Sequence, residues 1–227
     1  TLEQPNFYPY LSCRDNLKLV ARVKQAPESQ IDEVLDTVGL TTRQKTKFGA
    51  CSLGMKQRLA LGATMLGKPE LLVLDEPANG LDPEGMREIR EIILRLAEQG
   101  TTVFLSSHLL WEVERTCTHV AILRKGRIVR QATVTELTDG GGAVVVLRAA
   151  DADVLRTRVE EYPNSGLVSS DGDVVRAEVA DGDLAALNRW LTNHGVYLSH
   201  LSLEQRTLEQ AFLEVTDAHE SGMGDVE

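Results

Sequence analysis

Four consecutive apolar residues, Leu71-Leu72-Val73-Leu74, run straight into Asp75-Glu76-Pro77. So short a run, with no polar residue to face water, reads as a strand buried on both faces, as in parallel sheets. Its two carboxylates then stand at the carboxyl end of the strand, where open α/β sheets take their ligands. Strand side chains alternate, so Asp75 and Glu76 point in different directions and can do different work. One suits a magnesium ion, held largely through water, and the other suits orienting an attacking water. An isolated run of this kind also describes a solvated strand end, so the flanking segments decide.

Those segments follow a regular order. Ile31, Val34, Leu35 and Val38 recur at helical spacing before Gly39, and helices are expected over residues 14–23, 31–38 and 52–66. After the acids, Asp82 as N-cap and Pro83 in the first turn open a helix with Ile89, Ile92, Ile93 and Leu96 inward. A strand at 101–106, a short helix at 109–116, a strand at 120–123, a Lys125-Gly126 turn and a strand at 127–130 complete an α/β sheet covered on both faces. Gly140-Gly141-Gly142 reads as a hinge. Beyond it come strand 143–148, helix 151–161, strand 166–170, an Asp171-Gly172 turn, strand 173–179, helix 183–194 and strand 196–203. This is the β-α-β-β-α-β order of a ferredoxin-like α+β domain. A last helix spans 207–215, and the tail from Asp217 is expected to be disordered. The expected organisation is therefore 1–138, a glycine linker at 139–142, a small domain at 143–216 and a tail at 217–227.

Charge supports two domains. The net charge is −10, yet residues 136–227 hold 18 acids against 6 bases and no lysine follows Lys125. With no basic stripe to neutralise phosphates, the charge argues against wide contact with nucleic acid or anionic lipid. No apolar run approaches the roughly 18 residues a membrane-crossing helix needs. Cys13, Cys51 and Cys117 are odd in number and widely spaced, which fits reduced thiols rather than a disulfide framework or zinc site.

Three more segments could carry chemistry. Ser52 and Gly54 stand at the start of a helix in Cys51-Ser52-Leu53-Gly54-Met55-Lys56-Gln57-Arg58, where free N–H groups suit an anion; a plain serine N-cap is the alternative. Asn79-Gly80-Leu81-Asp82-Pro83 turns into the next helix. Ser106-Ser107-His108 ends the following strand, which puts His108 beside Asp75 and Glu76 if the two strands are neighbours. A phosphate-binding loop of the form G-x-x-x-x-G-K-[ST] does not occur in the 227 residues. The near match Gly62-Ala63-Thr64-Met65-Leu66-Gly67-Lys68 is followed by Pro69 and sits inside a helix without a preceding strand, so it cannot form the phosphate cradle.

In this order and spacing the segments over residues 1–135 resemble the ATP-binding cassette of ABC transporters, as part of a P-loop NTPase core with its helical subdomain. Leu2–Pro9 corresponds to the Q-loop, Ser52–Gln57 to the signature motif, Leu71–Glu76 to Walker B, Gly80–Pro83 to the D-loop and His108 to the H-loop. The wording Ser-Leu-Gly-Met-Lys-Gln-Arg-Leu and Asp-Glu-Pro-Ala-Asn-Gly-Leu-Asp-Pro is similar to the bacterial drug- and bacitracin-resistance exporter branch. Residues 143–215 look like that branch's accessory domain. The resemblance implies ATP hydrolysis at a head-to-tail homodimer or heterodimer of cassettes, with Asp75 holding magnesium, Glu76 polarising water and His108 meeting the γ-phosphate. Ser52, Gly54 and Met55 would close over nucleotide held by the opposite subunit, and Asp82 would link the two sites. Glu3 stands where the Q-loop glutamine is usual, with Gln4 beside it, and both belong to the expected nucleotide site. Leu53 and Met55 replace a glycine and a glutamine of the commoner signature.

The resemblance also implies a membrane permease as partner, no nucleic acid, and a place on the cytoplasmic face of the membrane, powering export of a drug, peptide or lipid-like substrate. The sequence opens on Thr1 in mid-motif, and the phosphate-binding loop is expected upstream of it. The chain as given should then be inactive alone. Two other readings stay open: a non-hydrolytic subunit supplying a signature half-site to a partner, and a soluble relative acting on ribosomes or DNA, which the acidic second half disfavours.

Overall fold

A computed structural model describes residues 7–138, 143–163, 165–179, 183–204 and 206–221. Glu3 and Gln4, the Gly140-Gly141-Gly142 hinge and the tail beyond Ser221 lie outside the described residues. The chain forms two compact units, Thr1–Thr116 and Cys117–Glu227.

The first unit begins with α1 (Cys13–Val23), α2 (Gln30–Thr37) and α3 (Leu53–Met65). Their apolar faces meet in one core through Leu17, Ile31, Leu35 and Leu59, all 1% exposed or less. Gly62 lies inside α3 because α2 packs against it closely: a Cβ there would stand 2.8 Å from Val34 Cγ1. Lys24 donates to the carbonyls of Ala63, Thr64 and Leu66 at 3.0, 2.9 and 3.3 Å, satisfying the orphan acceptors at the end of α3. The near match to a phosphate loop is thus a helix end. Gly67 (φ +88°) and Lys68 (φ +48°) make the turn out of it, and Lys68 pairs with Glu33.

β1 (Leu71–Asp75) pairs in parallel with β2 (Thr102–Ser106), joined by α4 (Pro83–Glu98). Leu72 and Leu74 are buried with Ile89, Ile92, Ile93 and Leu96 of α4. On the opposite face of this strand pair Leu71, Val73 and Phe104 are each more than half exposed in the chain as given. An unbroken apolar run cannot report which of its faces a chain covers, because both faces read alike in sequence. α5 (Leu110–Thr116) closes this unit, with Glu112 buried against Arg90 at 2.8 Å.

In the second unit β3 (His119–Arg124) and β4 (Arg127–Thr133) form an antiparallel sheet of their own, the strand–turn–strand expected around Lys125-Gly126. The reason is local. Lys125 and Gly126 both take positive φ (48° and 75°), as in the two-residue turns whose twist matches a hairpin.

α6 (Val134–Thr138) follows, an element the apolar pattern does not reveal. Its signal is the capping box Thr133-x-x-Glu136: Thr133 N–H donates to Glu136 Oε2 at 2.8 Å, and Glu136 N–H donates to Thr133 Oγ1 at 3.0 Å. The backbone bond from Thr133, then its side chain, hold the Glu136 carboxyl below the usual range. The Arg14 guanidinium does the same for Asp32 in the first unit. Both pKa values are lower in the folded than in the unfolded chain. Their stabilisation is therefore complete above the ordinary carboxylate range and is lost as pH falls through the folded values. Melting midpoints across the acid range should fall below pH 4 or so, and Glu136→Gln should flatten part of that fall.

The remainder is β5 (Ala143–Ala149), α7 (Ala152–Glu161), β6 (Ser165–Asp171), β7 (Val174–Val179), α8 (Leu184–Asn193) and β8 (Leu198–Glu204). The sheet order β6-β7-β5-β8, antiparallel throughout, is the ferredoxin-like arrangement expected from the sequence. Asp151 and Asp183 cap the two helices, which bury Leu155, Val159, Leu187 and Leu191 against Val145, Leu147 and Val175. α9 (Leu208–Ser221) continues past the expected end at Val215. Its apolar positions stop there while its backbone bonding does not, so a reading by apolar period ends too early.

Candidate functional site

The site is built where β1 and β2 end side by side. Their register pairs Asp75 with Ser106, and Ser106 Oγ donates to Asp75 Oδ1. The same hydroxyl accepts from the Glu76 N–H at 3.3 Å, and Ser106 O accepts from that N–H at 3.1 Å. Ser106 therefore ties both acids to β2. It was missed in the sequence because its signal is a cross-strand register, which depends on which strands become neighbours.

Glu76 has φ +46°, a left-handed conformation that costs a non-glycine residue about 1–3 kcal/mol. Its N–H is held by Ser106, and its carbonyl accepts from Asn79 N–H at 3.1 Å, so both ends of the strained residue are fixed. This turn, rather than simple alternation along the strand, separates the two carboxylates. It also aims Glu76 at His108, whose Nδ1 lies 2.9 Å from Glu76 Oε2. The Glu76 side chain is 26% exposed and that of His108 62%, so the pair sits where a ligand can reach it. Ser107 Oγ accepts from Leu109 N–H at 3.1 Å and shapes the turn from which His108 projects.

Asp82 caps α4 by accepting from Gly85 N–H at 2.9 Å. Ser52 caps α3, accepting from Met55 N–H at 3.3 Å. The Met55 side chain is half-buried and packs on the core of the first unit, so the residue's link to Ser52 is through its backbone. The two capped turns touch. A Cβ on Gly80 (φ +74°) would stand 3.4 Å from Leu53 Cδ2, and one on Gly54 would stand 3.9 Å from Leu81 Cδ2. Arg58 on α3 reaches Glu88 on α4 at 3.4 Å. The structure thus brings together Asp75, Glu76, Ser106 and His108 as one cluster, and Ser52, Gly54 and Asp82 as two helix starts in contact. Glu3 and Gln4 are outside the described residues.

The donor set fits the groups implied. One carboxylate beside a hydroxyl matches the habit of magnesium, which keeps most of its waters. A second carboxylate on a histidine matches an acid–base pair over an anion. Among the described residues no three or more His, Cys, Asp or Glu cluster as an all-protein metal cage. No described helix is long and apolar enough to cross a membrane.

Comparison with known proteins gives a consistent result. A family profile described as "AAA domain, putative AbiEii toxin, Type IV TA system" matches residues 6–111. The chain is 37% identical over 232 residues to the uncharacterized ABC transporter ATP-binding protein YdbJ of Bacillus subtilis, spanning 96% of this chain and 71% of that one. It is 34% identical over 218 residues to the bacitracin transport ATP-binding protein BcrA of Bacillus licheniformis, spanning 94% and 71%. Among solved structures, cbiO1 from Clostridium perfringens, part of the ABC transporter complex cbiONQ, superposes with a TM-score of 0.54 at 27% identity. That match covers 59% of this chain and 56% of the solved one, so the chain spans little more than half of that structure's length.

Proposed function

Since the chain belongs to the ATP-binding proteins of ABC transporters, we propose that it powers an exporter by hydrolysing ATP, with magnesium, on the cytoplasmic face of a membrane. The observation that carries this reading is the Glu76–His108 contact at 2.9 Å beside Asp75. Asp75, oriented by Ser106, would hold the magnesium, whose chemistry is to neutralise charge building on the phosphates. Glu76 orients a water and accepts its proton. His108 engages Glu76 through Nδ1, which leaves Nε2 to meet the outermost phosphate as charge develops there. Ser52 and Gly54 present the N-terminus of α3, a 13-residue helix, to the phosphates held by a second cassette. Asp82, locked as a cap, holds the neighbouring turn against that surface. The likeness to a bacitracin transport protein supports export of a peptide or lipid-like antibiotic, through a membrane permease that supplies the path.

The test is magnesium-dependent phosphate release from two preparations. The transporter assembled with its permease and intact cassettes should turn over ATP. The 227-residue chain alone should not, because none of its residues matches the glycine-rich cradle and lysine that grip the β- and γ-phosphates. Turnover by the chain alone would overturn that account of the cradle. An assembled transporter that is inert would overturn the reading as an ATPase and favour a chain that contributes only a signature half-site.

A further inference from the structure

Cys13 and Cys51 stand 38 positions apart, and neither takes part in the proposed nucleotide chemistry. Cys13 is the first residue of α1, and Cys51 immediately precedes the cap of α3. The backbone brings them together. Cys13 N–H donates to Thr46 O at 3.0 Å, Phe48 N–H to Leu11 O at 2.9 Å and Gly49 N–H to Pro9 O at 2.9 Å, while Ser12 forms an antiparallel bridge with Lys47. Across this bridge the two sulfurs lie 3.5 Å apart, both as free thiols in the core of the first unit. A disulfide needs about 2.0 Å, so closing the bond asks for a displacement of roughly 1.5 Å.

We propose that Cys13 and Cys51 form a paired oxidation site that closes to an intrachain disulfide when the chain meets a peroxide. Cys51 keeps 7% exposure and Cys13 none, so Cys51 meets the oxidant first. Its thiolate attacks one peroxide oxygen, the O–O bond breaks, and the departing hydroxide takes up a proton to become water. Cys51 is left as the sulfenic acid. The Cys13 sulfur then attacks the Cys51 sulfur and the S–O bond breaks. The hydroxyl leaves as a second water, carrying the Cys13 proton. Two thiols are oxidised and one peroxide is reduced to two waters.

Burial pushes the Cys13 thiol up to about 12, aided by its hydrogen bond to Cys51 and by the Cys51 charge. Forming the neutral sulfenic acid removes the charge and leaves burial as the main brake. With both sulfurs buried, the site responds to sustained rather than brief oxidation, and the closed bond is shielded from reductants in the same core. The link ties the start of α1 to the residue next to Ser52, closing a loop of the length for which a cross-link restricts the unfolded chain.

The experiment uses the 227-residue chain carrying Cys117→Ser, which leaves only the pair. It is held in hydrogen peroxide until added glutathione is fully oxidised, then denatured, alkylated and digested without reduction. Both thiols should be lost together, in a single linked fragment containing positions 13 and 51, and both should return after dithiothreitol. The melting midpoint of the oxidised chain should exceed that of the reduced one, and Cys51→Ser should give no link. Two results would overturn the proposal: full alkylation of both thiols after this exposure, or oxidation of Cys51 to the sulfinic acid while Cys13 stays alkylatable.

Discussion

In the assembled transporter, Glu76→Gln is expected to lower ATP turnover by about 10²–10⁴-fold, the range for loss of a positioned proton acceptor. The amide has the shape of the carboxylate and can still meet His108 Nδ1, so the 2.9 Å contact and the turn that carries it should survive. The left-handed backbone at position 76 is held by Ser106 and Asn79 through main-chain atoms, which the substitution leaves alone. What disappears is a group able to take a proton from water. Binding should persist while hydrolysis stops, so nucleotide should stay trapped in a closed pair of cassettes. The check is phosphate release beside retention of labelled ATP. Turnover within twofold of the unchanged protein would remove Glu76 from the role assigned to it.

Gly62→Val is expected to destabilise the first unit by about 3 kcal/mol, at the upper end of the usual cost of overpacking. The first added carbon would already stand 2.8 Å from Val34 Cγ1 and 3.2 Å from Val38 Cγ1. Both neighbours are β-branched and stiff about χ1, so neither can swing aside cheaply. Leaving glycine should recover a few tenths of a kcal/mol of helix propensity, which is too little to offset the clash. α2 and α3 must therefore separate, and the melting midpoint should drop by many degrees. Lys68→Ala, at the end of the same glycine-containing stretch, removes only an exposed contact to Glu33 and should leave the midpoint nearly unchanged. A midpoint for Gly62→Val equal to that of the unchanged chain would mean that the α2–α3 contact is not as close as described.

Much of this organisation was legible because it is written in local chemistry. Ser52, Asp82, Asp151 and Asp183 announce helix starts through side chains that accept from N–H groups of their own first turn. The order of strands and helices after residue 143 sufficed for the ferredoxin-like arrangement. The misreadings have equally local causes. The apolar period of the last helix stops at Val215 before its backbone bonding does, and α6 depends on a capping box rather than on an apolar stripe.

Sequence by itself determined where the strand ends in two acids, which helices carry a cap, and that a histidine closes the next strand. Only the tertiary structure decided that His108 meets Glu76 through Nδ1, that Ser106 holds Asp75, that Leu53 lies against Gly80, and that Cys13 faces Cys51. Each of those contacts joins residues 27 or more positions apart, and each depends on a register. Register is set by how distant elements bury Leu72, Leu74 and the faces of α1 to α4 together, a condition that no single segment of sequence contains.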